Sequence, residues 1–272
     1  MDSDVRSEVS KRYAQTARLP VSKGCGCGCG TQRTVSTASE QLGYDREDLS
    51  SIPHESDMGL GCGNPTAIAD LRPGETVVDL GSGGGIDCFL AARKVGPAGK
   101  VIGVDMTREM IDRARKAADK SQHANVEFRL GEIENLPVRD GEADVIISNC
   151  VINLSPDKGR VFQEAFRALK PGGRLMVSDI VLGGALPEKA RSSMALWASC
   201  VSGAILEKDY LGLMKEAGFE EIRVVGRKSA GDLISPDQAD ALRSQVPDLS
   251  RTESERVAGL IQSVSVKALK RR

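Results

Sequence analysis

From Glu75 onward, short apolar runs alternate with amphipathic ones, and the alternation is regular. Thr76–Leu80, Val101–Asp105, Val126–Leu130, Asp144–Ser148 and Arg174–Val177 read as strands, and 85–95, 108–119 and 157–169 as helices. Strands separated by helices of this length build βαβ units, which predicts a doubly wound, mostly parallel α/β sheet covered on both faces. Lys170-Pro171-Gly172-Gly173 ends the third of these helices and turns into the fifth strand. Beyond Asp179 the pattern is helical for about 40 residues, including 190–200 and 208–217. Gly218-Phe219 then leads into a strand at 221–225. Residues 236–245 look helical, and Val264, Val266 and Ala268 alternate with polar neighbours as a closing strand would.

Upstream of Glu75 the pattern is weaker. Val9, Tyr13 and Ala17 are spaced by four within an amphipathic helix predicted over 5–17. Gly-Cys-Gly-Cys-Gly-Cys-Gly at 24–30 is too glycine-rich for helix or strand and reads as a loop. A polar stretch follows to about residue 50, then a second glycine loop, 58–65, from which Pro65 starts a helix through Leu71. This suggests three regions: an N-terminal cap (1–57), a central ligand-binding α/β unit (58–180) and a C-terminal completion of the fold (181–272).

Composition narrows the function classes. With 37 Lys+Arg against 38 Asp+Glu in 272 residues, the net charge of −1 disfavours nucleic-acid or anionic-membrane binding. One Trp, three Tyr and five Phe leave few platforms for stacking single-stranded bases. There is no membrane-length apolar run, and the opening Met1-Asp2-Ser3-Asp4 is unlike a secretory signal, so a cytoplasmic location with reduced thiols is expected. Seven cysteines, at 25, 27, 29, 62, 88, 150 and 200, then need an explanation other than disulfides. None has the paired spacing of a structural zinc site.

The chemistry concentrates on two features. Asp79-Leu80-Gly81-Ser82-Gly83-Gly84-Gly85 follows the first predicted strand and opens a helix, so its glycines permit a tight turn and close approach of a ligand to the backbone. Asp105 ends the next strand, where a carboxylate can accept ribose hydroxyls. Together these point to a nucleoside cofactor on a Rossmann-like sheet, although a close strand-to-helix turn would use the same glycines. The second feature is the set Cys62, Cys150 and Cys200, each in or beside a loop able to reach the sheet's carboxyl edge. Three thiolates with no histidine or carboxylate partner expected nearby suit a soft, thiophilic centre. Cys88, inside a helix beside Phe89 and Leu90, reads as core.

The Gly-x-Gly-x-Gly loop with an acidic residue before it resembles that of the class I methyltransferases, which bind S-adenosylmethionine. Gly131-Glu132-Ile133 and Ser148-Asn149 match two further stations of that family. The stretches 59–65, 79–85, 103–107 and 131–134, and above all Ser148-Asn149-Cys150-Val151-Ile152-Asn153-Leu154-Ser155-Pro156-Asp157-Lys158, resemble the arsenite S-adenosylmethionine methyltransferases from about Val5 to Phe219. The resemblance implies that Cys62, Cys150 and Cys200 bind arsenic(III) and are catalytic. It implies that Asp79, Gly81, Ser82, Gly83, Gly85, Asp105, Met106, Glu132, Ile133 and Asn149 hold S-adenosylmethionine. The implied activity is methylation of arsenite, or its thiol complexes, in successive steps, a detoxifying reaction without a general base. Thioredoxin or glutathione is the implied reductant. The family often has adjacent cysteines near the N-terminus, whereas here glycines separate Cys25, Cys27 and Cys29, which read as accessory thiols. A small-molecule C- or O-methyltransferase, or a non-enzymatic metalloid-binding protein, are the alternatives.

Overall fold

The computed structural model describes residues 2–19, 35–121, 123–191, 193, 197, 200–229 and 250–272. Seven strands form one sheet: β1 (Thr76–Leu80), β2 (Lys100–Asp105), β3 (Val126–Leu130), β4 (Ala143–Asn149), β5 (Leu169–Leu182), β6 (Glu220–Ser229) and β7 (Ile261–Leu269). The strand order is β3-β2-β1-β4-β5-β7-β6. The first five run parallel and β7 runs antiparallel between β5 and β6. The order reverses between β1 and β4, and in an open α/β sheet ligands bind at the carboxyl ends of the strands beside such a reversal.

Helices α1 (Asp2–Arg18), α2 (Val35–Leu42), α3 (Arg46–Ser50) and α4 (Pro65–Ile68) precede the sheet. The others are α5 (Ile86–Val95), α6 (Arg108–Ser121), α7 (Lys158–Ala168), α8 (Glu188–Arg191), α9 (Glu207–Glu216) and α10 (Arg251–Leu260). On one face Phe89 and Leu90 of α5 and Ile111 of α6 cover Val77, Val101 and Ile147. On the other, Val161 and Phe162 of α7 and Tyr210 and Met214 of α9 cover Ile146, Val177 and Val266. Among the described residues no helix is long and apolar enough to cross a membrane.

Several elements differ from the sequence expectation for identifiable reasons. The helix from Pro65 stops at Ile68, not Leu71, because Asp70 turns into the left-handed region (φ 46°) ahead of Pro73. Lys170-Pro171-Gly172-Gly173 is a bulge within β5 rather than a turn before it: the pairing with β4 jumps from Ala143–Leu169 to Val145–Arg174, and Gly172 takes φ 85°. The polar stretch holds α2 and α3, whose helical signal is diluted by Ser, Thr and Gln. Helix α10 was not anticipated; a Ser250–Glu253 capping box starts it. The helix expected over 236–245 lies outside the described residues, as does most of the interior of the one expected over 190–200.

Phe162 is fully buried and meets Tyr210 edge-on at a centroid distance of 5.2 Å. Phe162→Ala is expected to cost about 3–5 kcal/mol, read as a lower urea midpoint at unchanged slope.

Candidate functional site

The glycine loop leaves β1 by way of three left-handed glycines, Gly81 (φ 67°), Gly83 (φ 51°) and Gly85 (φ 97°). A Cβ on Gly81 would lie 2.3 Å from Val151 Cγ2, and one on Gly85 2.9 Å from both Phe128 and Phe89, so the backbone alone fits here. Asp105, at the end of β2, accepts the Gly83 N–H at 2.9 Å and the Thr107 N–H at 2.8 Å, tying the loop to the neighbouring strand.

Above the loop lies a cavity of about 360 Å³, a normal size for a small-molecule site. Asp79, Gly81, Ser82, Gly83, Asp105, Met106, Ile133 and Asn149 line it. Gly85 and Glu132 do not: Gly85 caps α5 beneath the loop, and the half-exposed Glu132 side chain reaches toward Arg6 at 4.0 Å. Burial and the nearby Asp87 push Asp79 well above the usual carboxylate range, and burial raises Asp87 to about 6. Burial raises Asp105 as well. A ligand carrying positive charge would relieve this clustering of acids. The Ser82 hydroxyl is buried with no partner, an unused hydrogen-bonding group in the cavity wall. Glycine backbone, acids and a spare hydroxyl suit the ribose and the cationic end of a sulfonium nucleoside.

One end of the cavity is sulfur. Cys150 and Cys200 line it, and Cys62 is buried behind them in the same apolar cluster. The Cys200 thiol donates to the Cys150 carbonyl at 2.9 Å, and the Cys62 thiol to the Ser178 carbonyl at 3.4 Å. The Cys200 and Cys62 thiols, together with burial, push the Cys150 thiol well up; burial chiefly raises that of Cys62. Both therefore rest protonated at neutral pH. Cys150 (φ 60°) and Cys200 (φ 64°) occupy the left-handed region, which costs a residue with a Cβ about 1–3 kcal/mol. Cys88 is fully buried in α5 and donates to Asp79 at 3.3 Å. Cys25, Cys27 and Cys29 lie outside the described residues.

Comparison with known proteins shows the family. A methyltransferase-domain family model matches residues 71–218. The arsenite methyltransferase of Halobacterium salinarum is 49% identical over 247 residues, covering 87% of this chain and 63% of that one. The human arsenite methyltransferase is 35% identical over 234 residues, covering 82% and 60%. The crystal structure of an arsenic(III) S-adenosylmethionine methyltransferase from Chlamydomonas reinhardtii superposes with a TM-score of 0.62 at 31% identity, covering 89% of this chain and 75% of that one. The chain belongs to the arsenite S-adenosylmethionine methyltransferase family. It spans less than two thirds of the length of the two curated family members.

For this family member, the structure adds residues that the sequence did not assign to the site. Arg6, Val9, Arg12 and Tyr13 bring one face of α1 to the cavity, and Ser56, Met58 and Leu60 close it from the second glycine loop. Glu134 accepts from Arg6 at 3.0 Å and from the Ser155 hydroxyl at 2.6 Å. Asn149 lines the cavity, and its side-chain amide is fully engaged with the protein. Its Oδ1 accepts the Cys62 N–H at 3.1 Å, while its Nδ2 donates to the Tyr44 hydroxyl at 2.8 Å, the Gly63 carbonyl at 2.9 Å and Asp87 at 3.2 Å. Asn149→Ala would orphan the Cys62 N–H and remove a donor from Asp87. The expected loss is about 1–3 kcal/mol in urea unfolding, with weaker arsenite binding in fluorescence titration.

Proposed function

We propose that the chain methylates arsenite, in successive steps, with S-adenosylmethionine as methyl donor. The observation that carries this reading is the cluster of Cys62, Cys150 and Cys200 at one end of an acid-lined glycine-loop cavity. Bound S-adenosylmethionine supplies a methyl group on a positively charged sulfur. Asp79 and Asp105 favour the cationic and ribose parts of that ligand, and Gly81 and Gly83 let it approach the backbone. The three cysteines bind arsenic by exchange: each S–H replaces one As–OH, and the thiol proton leaves on the displaced hydroxyl as water. Three-coordinate arsenic carries no proton, so no side chain has to act as general base. The fold holds the cysteines in place before substrate arrives, so catalysis here is mainly positioning.

Methyl transfer spends the arsenic lone pair, breaks the donor's S–CH3 bond and raises arsenic formally by two. Two cysteine thiols return it to the trivalent state by forming a disulfide, which thioredoxin or glutathione reduces in the cytoplasm, where we place the enzyme. We assign Cys25, Cys27 and Cys29 to an accessory thiol arm. The decisive experiment is incubation with arsenite, thiol and labelled S-adenosylmethionine, followed by speciation of the arsenic; absence of methylated arsenic would refute the proposal. Cys62→Ser, Cys150→Ser and Cys200→Ser are each expected to abolish methylation of inorganic arsenite, because a hydroxyl is too hard to replace a thiolate on arsenic. Cys88→Ser should retain it. Asp105→Ala should weaken S-adenosylmethionine binding by about 1.5–3 kcal/mol, roughly ten- to a hundredfold by calorimetry.

The raised thiols of Cys62 and Cys150 also give the pH dependence a sign. Exchange of S–H for As–OH consumes and releases no proton, so arsenite affinity should be flat from about pH 6 to pH 8. A tenfold fall per pH unit would mean that a cysteine is already deprotonated at rest, because its thiolate must then take up a proton as it displaces hydroxyl from arsenic as water. The Cys25, Cys27 and Cys29 triple serine variant is expected to give a nearly normal single turnover with excess reductant. Its multiple turnover with limiting reductant should be slowed.

A further inference from the structure

Behind the sulfur end of the cavity lies one group that arsenite capture does not use. Asp179, in β5, is fully buried. One of its carboxylate oxygens and the sulfurs of Cys62 and Cys150 all lie within 4.8 Å of one another. We infer that Cys62, Cys150 and Asp179 form a binding site for a thiophilic divalent cation of the zinc or cadmium type, overlapping the arsenic site.

The donor set favours such an ion. Zinc–sulfur bonds of about 2.3 Å and zinc–oxygen bonds of about 2.0 Å put neighbouring ligands roughly 3.5–3.8 Å apart in a tetrahedron, so small side-chain rotations suffice. Asp179 is also oriented in the way that metal-binding carboxylates are. Its Oδ1 accepts from Asn153 Nδ2 and from the Ile180 N–H, both at 2.8 Å, and its Oδ2 accepts from the Tyr210 hydroxyl at 3.2 Å. Both lone pairs of Oδ1 are thereby taken, and Oδ2 keeps one for a further partner.

Charge agrees. Arsenic(III) bound by three thiolates is neutral and has no call on a carboxylate. A divalent cation on two thiolates and Asp179 carries one net negative charge. The buried Lys158 ammonium, close enough to Asp179 to interact with it and held by the Ser155 carbonyl at 2.9 Å, offsets that charge. On binding, the Cys62 and Cys150 thiol protons pass to solvent, and no electron moves. Cys200 or a water completes the four-coordinate shell.

This site shares two thiols with the arsenite reading but stands on its own geometry. The test is a titration of the reduced full-length chain with cadmium chloride, in a Cys25, Cys27 and Cys29 to Ser background so that those thiols give no signal. An ultraviolet thiolate-to-cadmium charge-transfer band saturating at one equivalent is expected. Asp179→Asn keeps the shape and the acceptor for Asn153 and Ile180, reverses the Tyr210 bond so that the amide donates to the hydroxyl, and removes the anionic ligand. It should lower the ratio of cadmium to arsenite affinity about ten- to a hundredfold. Cys200→Ser should raise the same ratio, because arsenite requires that thiol and the cation does not. No stoichiometric band, or an unchanged affinity ratio in Asp179→Asn, would overturn the inference. Cadmium binding as expected in a chain that fails to bind arsenite would overturn the arsenite reading alone.

Discussion

The side-chain amide of Asn149 joins four segments that are remote in sequence: the Cys62 loop, Tyr44, Asp87 at the start of α5, and β4 itself. Its position at the carboxyl end of β4, beside the reversal of strand order, makes this possible. Because one amide serves both the sulfur loop and the helix behind the glycine loop, the two halves of the site cannot shift independently. The close packing reinforces this. A Cβ on Gly61 would meet the Asn149 amide at 2.8 Å, and one on Gly63 would meet Ser178 at 2.7 Å. The loop carrying Cys62 is seated by backbone contact, which only glycine permits at those two positions.

Electrostatics divides the cavity. At one end Asp79, Asp87 and Asp105 are buried close together, and burial raises each of them. That arrangement is costly until a positively charged group enters. At the side, α1 brings Arg6 to Glu134. Helix α1 is itself held from below: Arg113 of α6 donates to the Ala17 carbonyl at 2.7 Å and to the Leu19 carbonyl at 3.0 Å, satisfying the helix's terminal acceptors. The cap that begins the chain is thereby part of the cavity wall.

Much of this fold can be read from the sequence, because β-strand and helix periods are local properties. The glycine loop, Asp105 and the three cysteines stand out in the sequence because special backbone and soft ligands demand particular residue types, and the structure gathers them at or just behind one cavity. What was not legible is long-range. Nothing near Tyr44 indicates that its hydroxyl meets Asp87 and Asn149 across the chain. Asp179 reads as one more polar residue in a strand until β5 and α9 pack and bury it against Tyr210. Cys150 and Cys200 carry no mark of positive φ either, because cysteine is not a residue that prefers it. Glu132 lies just past the end of β3; it does not line the cavity, and its half-exposed side chain approaches Arg6 at 4.0 Å.

The left-handed cysteines show what the site optimises. Each costs about 1–3 kcal/mol of backbone strain, and the surrounding structure holds both in place. The Cys150 N–H is bound by the Ser178 carbonyl at 2.8 Å, and the Cys200 N–H by the Trp197 carbonyl at 2.8 Å. The Cys200 thiol then reaches the Cys150 carbonyl. Three cysteines on mobile loops would bind a thiophilic centre too, but each would lose conformational entropy on doing so. Here that loss is incurred during folding, so a ligand meets sulfurs already gathered at one end of the cavity. Under the proposed function, strain in the resting protein is thus the counterpart of preorganisation for a thiophilic ligand.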